Sequence, residues 1–95
     1  MGNEMTDEEH GKAIDDLLAR MVARLRDAHG NPAKVKSAIE QYLQEGDALE
    51  MSPLELRDYF DISSPGLPET AGFTSSESNE ASELFDEVGS ARYGT

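Results

Sequence analysis

The stretch TDEEHGKAIDDLLARMVARLRDAHGN, residues 6–31, decides the fold, because it is the longest segment with an unbroken helical pattern and a signal at each end. Its large apolar residues are Ile14, Leu17, Leu18, Met21, Val22 and Leu25, with Ala28 continuing the row. Spacings of three and four place them on one helix face, and two-residue alternation fits badly. Thr6 and Glu9 have the spacing of a capping box, in which the Thr hydroxyl accepts from a first-turn N–H and the Glu carboxylate reaches back. Asp7, Glu8 and Glu9 stand at the positive end of the helix dipole, and Arg20, Arg24 and Arg26 towards its negative end. Gly30 can take the left-handed conformation past the last turn and Pro32 lacks the N–H to continue, so the helix should stop near His29. Leu17 and Val22 flank the row Ile14, Leu18, Met21 and Leu25, a stripe wider than a coiled-coil seam, which implies a bundle with more than one neighbour.

Working outward, Asn31 and Pro32 offer a cap and a first-turn proline for a second helix. Val35, Ala38, Ile39, Tyr42 and Leu43 form its apolar face, and Gly46 provides a stop. So short a connection makes helices one and two antiparallel or sharply angled neighbours. Leu49 and Met51 then cover an end of the core, and Ser52, Pro53 and Glu55 announce a third helix from Pro53 to Phe60. It presents Leu54, Leu56, Tyr59 and Phe60, with Ile62 following. Tyr59 and Phe60 are either the plug that closes the hairpin or an exposed anchor for a partner.

Past Ile62 the composition changes. Two prolines and a glycine between Pro65 and Pro68, then a small polar run around Phe73, read as a linker over 63–78. Asn79 can cap a short helix, 79–88, in which Ala81, Leu84, Phe85 and Val88 follow helical spacing before Gly89. Four apolar residues cannot hold an isolated helix, so it docks on the bundle or folds on a partner. The expected architecture is therefore all-α: a helical domain over 1–62, built as a small three-helix bundle of an antiparallel hairpin plus a short third helix. An extended or disordered acidic tail with a short amphipathic helix follows over 79–95. Residues 1–5 precede the first cap and should fray.

Twenty acidic and eight basic residues among 95 give a net charge of −12, which repels phosphate backbones and anionic lipid surfaces. Residues 1–62 carry 14 acidic and 7 basic groups, net −7, and residues 63–95 carry 6 and 1, net −5. A helix-turn-helix reading would need a basic second helix, whereas Lys34 and Lys36 are followed by Glu40 and Glu45. Arg20 and Arg24 share a face with Asp16 and Asp27, so intrahelical pairing is the plain expectation and an anionic partner the alternative. The absence of cysteine removes disulfides, thiolate chemistry and Cys-based zinc sites. No apolar run exceeds three residues, so a membrane span and a signal-peptide core are not expected, and the default is a soluble cytoplasmic protein or a virion component.

Little here points to an enzyme. His10 and His29 sit about 28 Å apart by helix rise and cannot share a metal within one chain. His10 reads as a solvated first-turn residue and His29 as a last-turn residue favoured by the dipole. Ser, Thr and Tyr lack a base and orienter, and no phosphate loop or calcium loop is spelled out. No catalytic, cofactor or metal residue is assigned. The expected function is a non-enzymatic protein–protein interaction module, an accessory or structural part of a larger assembly, using a helical core and a tail that orders on binding, with Tyr59, Phe60, Leu84, Phe85 and Val88 as candidate contact residues. The expected partner is a protein, a second copy of the chain included, rather than nucleic acid or membrane. The alternative is an acidic nucleic-acid mimic that blocks a nucleic-acid-binding protein.

Overall fold

A computed structural model describes residues 6–63 and 65–94, and these form helices and turns with no strand among them. Helix α1 spans Asp7–Ala28, α2 Pro32–Ala48, α3 Pro53–Arg57, α4 Leu67–Thr70 and α5 Ser75–Tyr93, and a π-helical turn, Asp58–Ile62, continues α3. The protein is all-α, as its sequence requires. Residues 1–5, expected to fray, lie outside the described residues.

The start signals act as read. Thr6 and Glu9 close a capping box on α1, as do Ser52 and Glu55 on α3, and the Asn31 side chain accepts from the Lys34 N–H at the start of α2. Helix α1 stops as expected, with His29 as its cap and Gly30 left-handed at φ 85°, but the other stop signals act differently. Gly46, expected to end α2, lies inside it, because Leu56 packs where a side chain would stand. The helix ends two residues later, where Glu50 adopts a left-handed φ of 61° and the Met51 N–H returns to the Gly46 carbonyl.

Helix α2 is the central element: it packs against α1 on one side, α5 on another, and α3 at its end. Its buried residues Val35, Ala38, Ile39, Tyr42 and Leu43 are those the periodicity picked. On α1 the buried row is Leu17, Met21, Leu25 and Ala28, and Ile14, Leu18 and Val22 are its half-buried margin. The centre of the stripe therefore lies one residue row away from the expected one. Arg20 and Arg24 both reach Glu45 of α2, at 3.1 and 2.7 Å, instead of pairing within α1. These hydrogen bonds, Arg24's first, hold the Glu45 carboxyl below its ordinary range against the opposing effect of burial.

The C-terminal third departs from the expected linker and tail. Lys36 pairs with Glu87, and Arg92 and Tyr93 bond Asp47, so α5 runs in the same sense as α2. The chain must therefore return along α2 before α5 begins, and α3, the π-helical turn and α4 carry it back. Leu67, Ala71 and Phe73, inside the stretch read as a linker, are buried. Gly66 is required there, since a Cβ would lie 2.6 Å from the Phe60 carbonyl oxygen. Helix α5 starts at Ser75 under a Thr74–Glu77 capping box, not at Asn79, and passes Gly89 to end at Gly94. Ala81, Phe85 and Val88 belong to the same core as α1 and α2. The radius of gyration, 13.3 Å, is close to the roughly 13 Å of a folded 100-residue chain, in keeping with α5 packed on α2.

Candidate functional site

Among the described residues, the exposed large hydrophobic side chains all lie on one nine-residue segment: Leu54 at 78 % exposure, Tyr59 at 37 % and Ile62 at 66 %. The inward side of that segment explains why it is held in place. Leu56 fills the notch at Gly46, and its carbonyl accepts a 2.7 Å hydrogen bond from the buried Tyr42 hydroxyl. Phe60 meets the Phe85 ring at 4.7 Å and the Tyr42 ring at 6.2 Å. Arg57 bonds Asp86 of α5, pairs with Asp61 at 3.4 Å, and sets its guanidinium 5.8 Å from the Phe85 centroid. With one side clamped on α2 and α5, the opposite side is left outward.

The π-helical turn shapes that outward side. Ser63 donates its N–H to the Asp58 carbonyl five residues back, and its hydroxyl donates to the same oxygen. A turn closed over five residues winds less per residue than an α-turn, so Phe60 stays in register with Leu56 inside while Ile62 returns to the side of Leu54. The face also carries two exposed carboxylates, Glu55 and Asp58, which make no ion pair among the described residues.

The candidate contact residues are split by this arrangement. Tyr59 stands at the edge of the exposed face, whereas Phe60, Phe85 and Val88 are buried, Phe60 and Phe85 against each other. A side chain so enclosed is not presented to a partner, so these three are scaffold. Leu84 is half-buried on another flank of α5. Leu54 and Ile62 complete the face and were not singled out from sequence. On a regular α-helix they would fall about 80° apart, and only the slower winding of the π-helical turn brings Ile62 back to the side of Leu54.

A second feature lies where α5 crosses the corner of α1 and α2. It is a groove of about 330 Å³, lined by Val35, Phe73, Ala81 and Leu84 and bordered by glutamates of α5. At one end His29 stacks on Phe73, ring centroids 4.7 Å apart, and its Nε2 lies 2.8 Å from Glu77 Oε2. The Thr74 backbone N–H first, and His29 second, hold the Glu77 carboxyl down to about 2. His29 thus ties α1 to the start of α5. His10, expected in solvent, is half-buried, and its Nε2 lies 2.8 Å from the Leu49 carbonyl oxygen, an N–H donating to it.

The protein is all-α, and among the described residues its exposed large hydrophobic side chains are confined to α3 and the π-helical turn. Comparison with family models, with curated proteins and with solved structures returned no match. No helix among the described residues is long and apolar enough to cross a membrane.

Proposed function

We propose that the chain is a non-enzymatic protein-interaction module, an accessory or structural component of a larger assembly, which docks through Leu54, Tyr59 and Ile62. The observation that carries this reading is the confinement of the exposed large hydrophobics among the described residues to one segment, α3 and its π-helical turn. The matching partner surface is an apolar cleft with a Lys- or Arg-bearing rim, because Glu55 and Asp58 flank the face and the chain carries −12. A second copy of the chain meets the same negative charge and fits less well.

Magnitudes limit what this face does alone. Leu54, Tyr59 and Ile62, worth about 2 kcal/mol each on full burial, are already partly covered and have roughly 4 kcal/mol left to gain, against an association cost of roughly 4–15 kcal/mol. Stable docking therefore draws on the charged rim or on another surface. The test is affinity capture with the full chain and with a Leu54→Ser/Ile62→Ser variant: a partner kept through high salt by the first and lost from the second supports the reading.

A nucleic-acid mimic is the second reading. Five of the eight Lys and Arg residues, Arg20, Arg24, Lys36, Arg57 and Arg92, are held in internal ion pairs with Glu45, Glu87, Asp61, Asp86 and Asp47, so they are not gathered into a basic patch that would oppose the net charge of −12. It would show as release of a nucleic-acid-handling protein at moderate salt. The apolar face favours the first reading.

A further inference from the structure

We infer that the groove between α5 and the α1–α2 corner is a second docking surface, and that it takes a cationic amphipathic segment of a partner, one presenting Arg or Lys beside a leucine-like side chain. Its floor is apolar, with Val35, Phe73 and Ala81 buried beneath it and Leu84 half-buried along it. Its volume, about 330 Å³, accommodates side chains rather than a folded domain. The rim on α5 has one sign: Glu77, Glu80, Glu83 and Glu87 follow three- and four-residue spacing, an arrangement that weakens a helix by like-charge repulsion. Glu77 and Glu87 are matched by His29 and Lys36. Glu80 and Glu83, between them, are exposed and make no ion pair among the described residues. The unmatched charge therefore lies beside Leu84, in the middle of the groove.

An Arg or Lys side chain satisfies both halves of this site. Its aliphatic stem covers the floor, and its cation reaches Glu80 and Glu83. The α1 C-terminus and α2 N-terminus meet at His29 to Pro32 with opposite partial charges, so the carboxylates set the sign of the field. An anionic ligand is repelled. This surface is separate from the face on α3, because Arg57 reaches Asp86 and Phe85, which helical spacing puts on a different side of α5 from Leu84. Both surfaces can be filled together, which makes the chain a bridge between two partner segments. The inference stands on its own residues and does not need the first face to act.

The test titrates the full, isotope-labelled chain at physiological ionic strength with a short amphipathic Leu/Arg peptide. The same peptide with Glu in place of Arg, and a single-stranded oligodeoxynucleotide, are the comparison probes. The inference expects saturable shifts at Val35, Ala81 and Leu84 with the Arg peptide alone. Glu80→Gln/Glu83→Gln should weaken binding about tenfold. Glu8→Gln/Asp15→Asn, which removes as much charge elsewhere, and Leu54→Ser/Ile62→Ser should change it less than about twofold. Shifts spread over the acidic surface without saturation, equal weakening by the two charge-removing variants, equal binding of the Glu peptide, or no binding would each overturn it. Loss of binding in Leu54→Ser/Ile62→Ser would overturn the separation of the two surfaces.

Discussion

A Cβ placed on Gly46 would lie 2.4 Å from Cδ2 of Leu56. Leu56 is fully buried and its carbonyl is held by Tyr42, so its side chain can yield only by repacking against the core around it. Gly46→Ala should therefore destabilise the protein by about 1–2 kcal/mol, overpacking outweighing the roughly 1 kcal/mol gained in helix propensity. Denaturant unfolding measures it; a stabilised variant would mean that α3 does not seat on α2 as described.

Glu50 gives the opposite sign. It is exposed, and it holds the left-handed position that closes α2 with φ 61°, where a side chain costs about 1 kcal/mol or more. Glu50→Gly should raise stability by about 1 kcal/mol, read as a higher denaturation midpoint at unchanged slope.

Tyr42 tests the buried hydrogen bond and its pH dependence together. Burial, with a smaller contribution from nearby Tyr59, pushes its phenol well above the ordinary value of 10.0. The folded state thus keeps a proton that the unfolded state releases above that value. The resulting stabilisation is complete at lower pH and is lost as pH rises past 10, by up to about 1.4 kcal/mol per pH unit. Tyr42→Phe should cost about 1–2 kcal/mol at neutral pH and flatten the alkaline decline. Equal alkaline slopes would show the phenol to be ordinary.

Glu77 works at the acid end. Its carboxyl is held at about 2, so the unfolded chain takes up a proton near the usual 4.5 while the folded chain does not. The contribution is present above the usual value and disappears as pH falls from there towards 2. Glu77→Gln should lower the melting temperature at pH 6, and the difference should shrink across that window. A difference constant with pH would point to shape rather than charge.

How much of this could be read in advance depended on which residues announce themselves. Thr6 with Glu9, Asn31 with Pro32, and Ser52 with Glu55 spell local chemistry, and the helices begin there. Thr74 with Glu77 spells the same signal, but Ser75 to Glu80 has no apolar residue to reveal a period, so Asn79 looked like the start. That first stretch is held by its cap and by His29, a contact 48 residues away in sequence. Glycines misled for a related reason: Gly46 and Gly66 are there for the close approach of Leu56 and of the Phe60 backbone, which no local pattern shows. Of the candidate contact residues, Tyr59 is exposed, but Phe60, Phe85 and Val88 were inseparable from surface anchors until α5 was seen on α2. Leu54 and Ile62 needed the π-helical turn to be recognised as one face.

The most direct measurement is quantitative affinity capture from the native host with the full chain beside Leu54→Ser/Ile62→Ser, after circular dichroism and melting show both to be equally folded. Docking through this segment predicts a stoichiometric protein partner retained through high salt by the native chain and absent from the variant. The same partner held equally by both, or partners released only by moderate salt, would contradict it.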